Sequence, residues 1–277
     1  MVLPTAGERT GRSARLGLTL SACGGTAVAP RDPLAGDYVA AVSESAVPIA
    51  KRLTEAFAAQ HPGMAWQVKD VGSAATFALL AGGEADVGFL SRELTVEDER
   101  AVQALGLGYT GQVIVVHSSN PVTALSKEQL RGIFSGAITD WREVGGAPGP
   151  ILAFLRAETS PTRTALDPLL RAPGTAYRSD AIVSTDAEAL VNAVSATPRA
   201  IGIVSALHLV GVPNAPRPIT VDGVAPTKVT VASGTYPYRR PITLVVRVNT
   251  SLIRPAAKLF RDWVHGEEGQ RILRELF

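Results

Sequence analysis

The chain is built around a unit that is clearest between Pro150 and Leu170. An apolar run, Ile151-Leu152-Ala153-Phe154-Leu155, reads as a buried strand. Arg156-Ala157-Glu158-Thr159-Ser160 follows as a loop, and Pro161 to Leu170 reads as a helix. Ser160 suits the cap of that helix and Pro161 its first position, where a missing N–H costs nothing. A helix start carries unpaired N–H groups and the positive end of the dipole. Arg156 and Arg163 add full charge beside it. One such loop is an ordinary capped helix; an oxyanion site needs other loops of the same design to meet it.

The design repeats. Tyr38 to Val42 reads as a strand, ends in Ser43-Glu44-Ser45, and leads into helical periodicity from Ala46 to Gln60. Trp66 to Val71 is a strand followed by Gly72-Ser73 and a helix running to Gly82. Asp86 to Leu90 is a strand closed by Ser91-Arg92, and Thr95 to Leu105 reads as a charged helix. Gln112 to Val116 is a strongly apolar strand, and the Asn120-Pro121 break after it suggests a hinge. Helices are expected over 126–134 and 187–196, with strands over 200–204 and 241–246. Residues 212–238 read as loop-rich, and 255–275 as a closing amphipathic helix pair. Strand, loop and helix in alternation predict an α/β fold with a mostly parallel sheet. In such sheets ligands sit beyond the carboxyl ends of the strands. Four of those ends carry Ser, Thr or Gly before a helix, and two carry Arg92 and Arg156, so a shared anion site is the better reading.

Composition narrows the alternatives. A hydrophobic fraction of 46% against 19% charged fits a soluble protein with a real core. The net charge is only +2 and aromatics make up 5%, which argues against a nucleic-acid-binding surface. A single cysteine, Cys23, rules out an internal disulfide and any multi-cysteine metal site. The four histidines are far apart and form no ligand-spaced pair. No apolar run reaches the length of a membrane-spanning helix. At the N-terminus, Arg9, Arg12 and Arg15 precede the apolar patch Leu16 to Leu20 and then Ser21-Ala22-Cys23. Basic, then apolar, then small residues is an export pattern. Leu20-Ser21-Ala22-Cys23 resembles a bacterial lipobox, which implies an exported protein lipid-anchored at Cys23, tethered through 26–36. The apolar patch is shorter than a usual signal core of roughly 7–15 residues.

Several longer pieces carry a family resemblance. They are Leu130-Arg131-Gly132-Ile133-Phe134-Ser135-Gly136-Ala137-Ile138-Thr139-Asp140-Trp141, Val221-Asp222-Gly223-Val224-Ala225-Pro226-Thr227, and Ala232 to Pro241. Ala200 to Val204 and Glu268-Gly269-Gln270 fall in matching places. Over residues 40–277 the chain resembles the phosphate-binding subunit of bacterial phosphate ABC importers, in the periplasmic substrate-binding superfamily. The resemblance implies the two-lobed type II periplasmic-binding-protein fold, with the ligand cleft between α/β lobes joined by two crossing strands. It implies a leader and tether over 1–36, one lobe from 37–116 plus 240–277, and the other from 117–239. The crossings would be the Asn120-Pro121 break and the stretch from Tyr236 to Pro241. It implies binding of inorganic phosphate or a similar oxyanion by a monomer that serves membrane permease subunits. No cofactor, metal or catalytic residue is called for.

The ligand-binding residues so implied are Ser43, Ser45, Ser73, Ser91, Arg92, Arg156, Ser160 and Thr162. Their loops depart from the family pattern in three places. A Gly-Ser-Ser-Thr-like loop is here Val42-Ser43-Glu44-Ser45, and a Gly-Ser-Gly-Thr-Arg loop is here Thr159-Ser160-Pro161-Thr162-Arg163. Pro161 removes an N–H, and Thr159 lacks the freedom of glycine to close on an anion. The third departure is at the family's run of glycines with Ser, here Val71-Gly72-Ser73-Ala74-Ala75, whereas Ser91-Arg92 matches the Ser-Arg form of its loop, where other members have Asp. Glu44 would repel a phosphate by about 4 kcal/mol per charge pair at ~4 Å and an effective dielectric of ~20. It would have to point outward or pair with an arginine. The same scaffold could instead take another oxyanion or a small acid, as a receptor or a sensor. A secreted hydrolase is the remaining class, but there is no Gly-x-Ser-x-Gly elbow and no histidine near the candidate serines in sequence.

Overall fold

The computed structural model describes residues 32–248 and 254–277. The basic leader, Cys23 and the first part of the tether lie outside the described residues. In chain order the elements are β1 (Gly36–Val42), α1 (Val47–Ala58), β2 (Met64–Asp70), α2 (Gly72–Gly82), β3 (Val87–Leu90), α3 (Val96–Ala101) and β4 (Val102–Val116). Then come β5 (Ala124–Leu125), α4 (Lys127–Ser135), β6 (Leu152–Arg156), α5 (Pro161–Leu170), β7 (Ile182–Ser184), α6 (Ala187–Ala196) and β8 (Ala200–Ser205). The chain closes with β9 (Arg217–Pro218), β10 (Thr220–Val221), α7 (Lys228–Ser233), β11 (Arg239–Arg247), α8 (Pro255–His265) and α9 (Glu267–Leu276).

The main sheet runs β2-β1-β3-β11-β4-β8-β6-β7. It is parallel within each half: β1 pairs with β2 and β3, and β6 with β7 and β8. It is antiparallel where β11 and β4 lie side by side in the middle. Each half has its own apolar core. One gathers Ile49, Leu53, Phe57, Phe89 and Phe260 around β1, β3 and α8; the other gathers Ile114, Leu130, Phe134, Trp141 and Leu166 around β4, β6 and α5. Burial of such side chains, at about 1.5–3 kcal/mol each, holds the sheet flat against its helices. This is the two-lobed α/β arrangement.

One expectation needs correction. The helix expected over 95–105 ends at Ala101, and residues 102–105 already belong to β4. Thr95 caps a short helix in which Asp98 bonds back to the cap. Beyond it Gly106 and Gly108 are poor helix residues, and pairing with β11 from Val102↔Arg247 to Gly111↔Arg239 captures the chain as strand. Gly108 lies at φ +147, and a Cβ there would sit 2.7 Å from the Phe277 ring. β4 changes partner within its own length, from β11 up to Gly111 to β8 from Gln112 onward, ahead of Asn120-Pro121. The loop-rich 212–238 segment also holds the short helix α7, capped by Thr227.

Candidate functional site

The four strand ends do meet. After β1, Ser43, Glu44 and Ser45 make a tight turn and are all buried. The Ser43 hydroxyl donates to Ser91 Oγ at 2.8 Å, just past the end of β3. The Ser91 N–H in turn faces Ser73 Oγ at 3.5 Å, in the first turn of α2. Three loops of one half thus share a line of hydroxyls.

The β6–α5 loop approaches from the other half. Ser160 caps α5, its Oγ accepting from the Arg163 N–H, with Pro161 at the first helical position. Arg163 Nη1 donates to the Arg156 carbonyl at 2.9 Å, which holds the loop closed under the helix start. Arg156 ends β6 and makes a two-pronged pair with Glu44: Nε to Oε1 at 3.2 Å and Nη2 to Oε2 at 2.9 Å. Its remaining Nη1 donates to the Ser184 carbonyl at 2.7 Å. Thr162 Oγ1 lies 3.2 Å from Glu44 Oε1 and 2.7 Å from Gln112 Oε1. A hydroxyl has one proton, so Thr162 serves one of these acceptors at a time. Both members of the Glu44–Arg156 pair are buried, with side chains 7% and 3% exposed. Glu44 therefore points into the cleft and is paired, the second of the two arrangements open to it.

Most of the predicted residues come together here: Ser43, Ser73, Ser91, Arg156 and Thr162 are linked through the contacts just described, with Ser160 as the cap that positions them. Ser45 is buried in the turn and its hydroxyl has no hydrogen-bond partner among the described residues. Arg92 makes its own contacts elsewhere. It turns away to Asp98, with Nη2 to Oδ1 at 3.1 Å, and lies over the Phe77 ring. The cause is local: Asp98 is already fixed by the cap of α3, within reach of Arg92. The pairing holds the Asp98 carboxyl well below its ordinary value.

The cation at that end of the cleft is Arg240 of β11. It donates to the Ser91 carbonyl and, at 3.4 Å through Nη1, to the Pro161 carbonyl. It links a loop of one half to a loop of the other. Burial lowers its pKa, the Glu44 charge opposes that shift and the nearby Arg92 charge adds to it. Gln112, Arg240 and His208 were not identified from sequence. Arg240 and Gln112 lie on the two central strands, far along the chain from the loops they serve. Only the position of Gln112 in an otherwise apolar strand was a visible signal. His208 Nε2 donates to the Glu44 carbonyl at 3.0 Å, and burial pushes its pKa down, so it is neutral at pH 7. Beside the pair lies a cavity of about 200 Å³ whose wall includes Glu44, Asp70, Arg156, Asp186 and His208. Desolvation, then the Glu44 charge, raises the Asp70 carboxyl.

Hydroxyls and arginines thus line a cleft between the two α/β halves. The family model for a PBP superfamily domain matches residues 27–268. The chain belongs to that superfamily. It is 25% identical over 207 residues to the phosphate-binding protein PstS of Bacillus subtilis (strain 168), a match covering 73% of this chain and 67% of that protein. Among solved structures it is similar to a putative phosphate ABC transporter substrate-binding protein with bound phosphate from Clostridium perfringens. That likeness has a TM-score of 0.71 and 27% identity, over 87% of this chain and 98% of the other. An ABC-type phosphate transport receptor from Vibrio cholerae matches with TM-score 0.63 and 28% identity, over 86% and 98% of the two chains. The resemblance seen in the sequence and the two-lobed fold it implied are both borne out.

Proposed function

We propose that this chain captures inorganic phosphate outside the cytoplasm and delivers it to the membrane subunits of an ABC importer. The observation that carries the reading is the cross-lobe cluster of Ser43, Ser73, Ser91, Arg156 and Thr162, with Arg240 tying its two sides together. Hydroxyl and guanidinium donors at strand ends can replace the hydration shell of a tetrahedral oxyanion, and a planar guanidinium matches phosphate with two parallel bonds. The relatives named for phosphate binding and phosphate transport support the same ligand. The residues serve binding rather than catalysis. The lobe boundaries are drawn where β4 passes from β11 to β8, at Gly111–Gln112, and where β11 begins at Arg239, beside the Gln112 N–H that donates to the Tyr238 carbonyl. Closure about those two strands would trap the ligand in hinge fashion. A monomer held to the membrane by a lipid on Cys23 fits this role.

The same scaffold taking another oxyanion or a small acid is the second reading, and Glu44 is what favours it. Its carboxylate already sits on Arg156 and would repel a dianion placed there. Calorimetry of the purified full chain against phosphate, arsenate, sulfate and small carboxylates tests both. One-to-one phosphate binding that exceeds the rest is expected. Binding of another anion with no heat from phosphate would replace the first reading with the second.

A further inference from the structure

We infer that Glu44 is a tethered competitor for the ligand: its carboxylate holds the anion position on Arg156 and Thr162, and an oxyanion enters as that side chain leaves. This rests on the cleft being an oxyanion site, as proposed above. The guanidinium of Arg156 is fixed from behind by its bond to the Ser184 carbonyl, which leaves the Nε and Nη2 edge in one direction. Glu44 takes that whole edge with its two oxygens. The edge is the one that pairs equally with carboxylate or phosphate. The Thr162 hydroxyl, a second donor within reach of an anion there, lies 3.2 Å from the same Glu44 Oε1 and shares its proton with the nearer Gln112 Oε1. Arg156 has one free two-donor edge, which cannot pair with Glu44 and a dianion together, and even with Arg240 nearby the three negative charges would outnumber the buried positive ones, so the two exclude each other.

The surroundings suit a side chain that swings rather than a loop that refolds. The Glu44 backbone is anchored by His208 at its carbonyl, whereas its side chain borders the adjoining cavity of about 200 Å³. That cavity offers space for the displaced carboxylate. Its wall carries Asp70 and Asp186 as well as Lys51, which is already paired with Glu188 at 2.9 Å, so the carboxylate gains no free cation there, displacement is costly and phosphate binding is weakened. The fully buried Ser45 hydroxyl, without a partner among the described residues, is one donor more than the carboxylate satisfies. A tetrahedral oxyanion, with four oxygens where a carboxylate has two, has an acceptor to spare for it.

The test is calorimetry with inorganic phosphate on the full-chain parent, Glu44→Ser and Glu44→Gln, each checked for a cooperative thermal transition. Glu44→Ser is expected to bind phosphate at least about tenfold tighter than the parent, since an intramolecular competitor acts at high effective concentration. Its melting temperature should also rise more on adding phosphate. Glu44→Gln keeps the shape and an oxygen for Arg156, and should fall between; it decides the matter if Glu44→Ser does not fold. Equal or weaker phosphate binding by the folded variants overturns the inference and leaves the receptor reading intact if the parent binds. Binding only in the variants supports the inference and removes phosphate as the parent's ligand. Absence of phosphate binding in all three overturns both.

Discussion

Ser91-Arg92 after β3 and the Arg156 to Thr162 stretch around the end of β6 have similar chemistry, hydroxyls beside an arginine. Arg92 meets Asp98, six residues along the chain, on a partly exposed surface. Arg156 meets Glu44, 112 residues away, across the cleft and out of water. The same residue type therefore makes a minor surface contact at one strand end and the main charged contact of the cleft at the other. The carboxylate that the fold offers, and the water it excludes, decides which. An exposed pair is worth about 0.2–1 kcal/mol, whereas removing one partner of a buried pair costs about 3–5 kcal/mol.

The largest expected effect follows from that contrast. Arg156→Ala strands the Glu44 carboxylate, and urea unfolding should show a loss of about 3–5 kcal/mol together with loss of ligand binding. A loss below about 1 kcal/mol would mean that water reaches Glu44 and that the two strand ends are alike. Next comes the histidine beneath Glu44. His208 has a folded pKa below its ordinary 6.5, so above that value both folded and unfolded forms are neutral and nothing is lost. As pH falls below about 6.5 the unfolded chain takes the proton first, and stability should drop by up to about 1.4 kcal/mol per pH unit. His208→Gln should remove that portion of the slope in a series of unfolding curves from pH 7.5 to 5. The smallest effect separates the arginines at the β3 end. Arg92→Ala should leave phosphate affinity within about twofold and cost under about 1 kcal/mol of stability. Arg240→Ala should weaken affinity about tenfold, or ~1.4 kcal/mol. Equal losses in the two titrations would restore Arg92 to the cleft.

Much of the fold was legible because its signals are local. Ser126 and Ser160 cap α4 and α5 as their positions suggest, and α6 covers the expected Ala187–Ala196. The convergence of serines at strand ends followed from the general rule for open sheets. Wherever a distant strand decided the outcome, the local signal misled or said nothing. The charged 95–105 stretch looks helical until β11 claims its second half. Arg92 reads as a ligand residue from its place after a strand, and the sequence gives no sign that its contacts in the fold go to Asp98. Arg240 and Gln112 lie on central strands whose neighbours in space are far away in sequence. Glu44 stood out as a charge in an anion loop, but its partner among the arginines could be fixed only by geometry.

The order of synthesis gives the central strands another meaning. β11 lies between β3 and β4 in the sheet, yet among the described residues it is the last strand made. While the chain is still emerging from the ribosome, the facing edges of β3 and β4 have no mate, and unpaired edges of this kind invite contact with other chains. The first half cannot complete its sheet until Arg239–Arg247 arrives, so early release or C-terminal clipping would leave it open. Export before final folding, or a chaperone holding those edges, would shield the nascent protein during that interval.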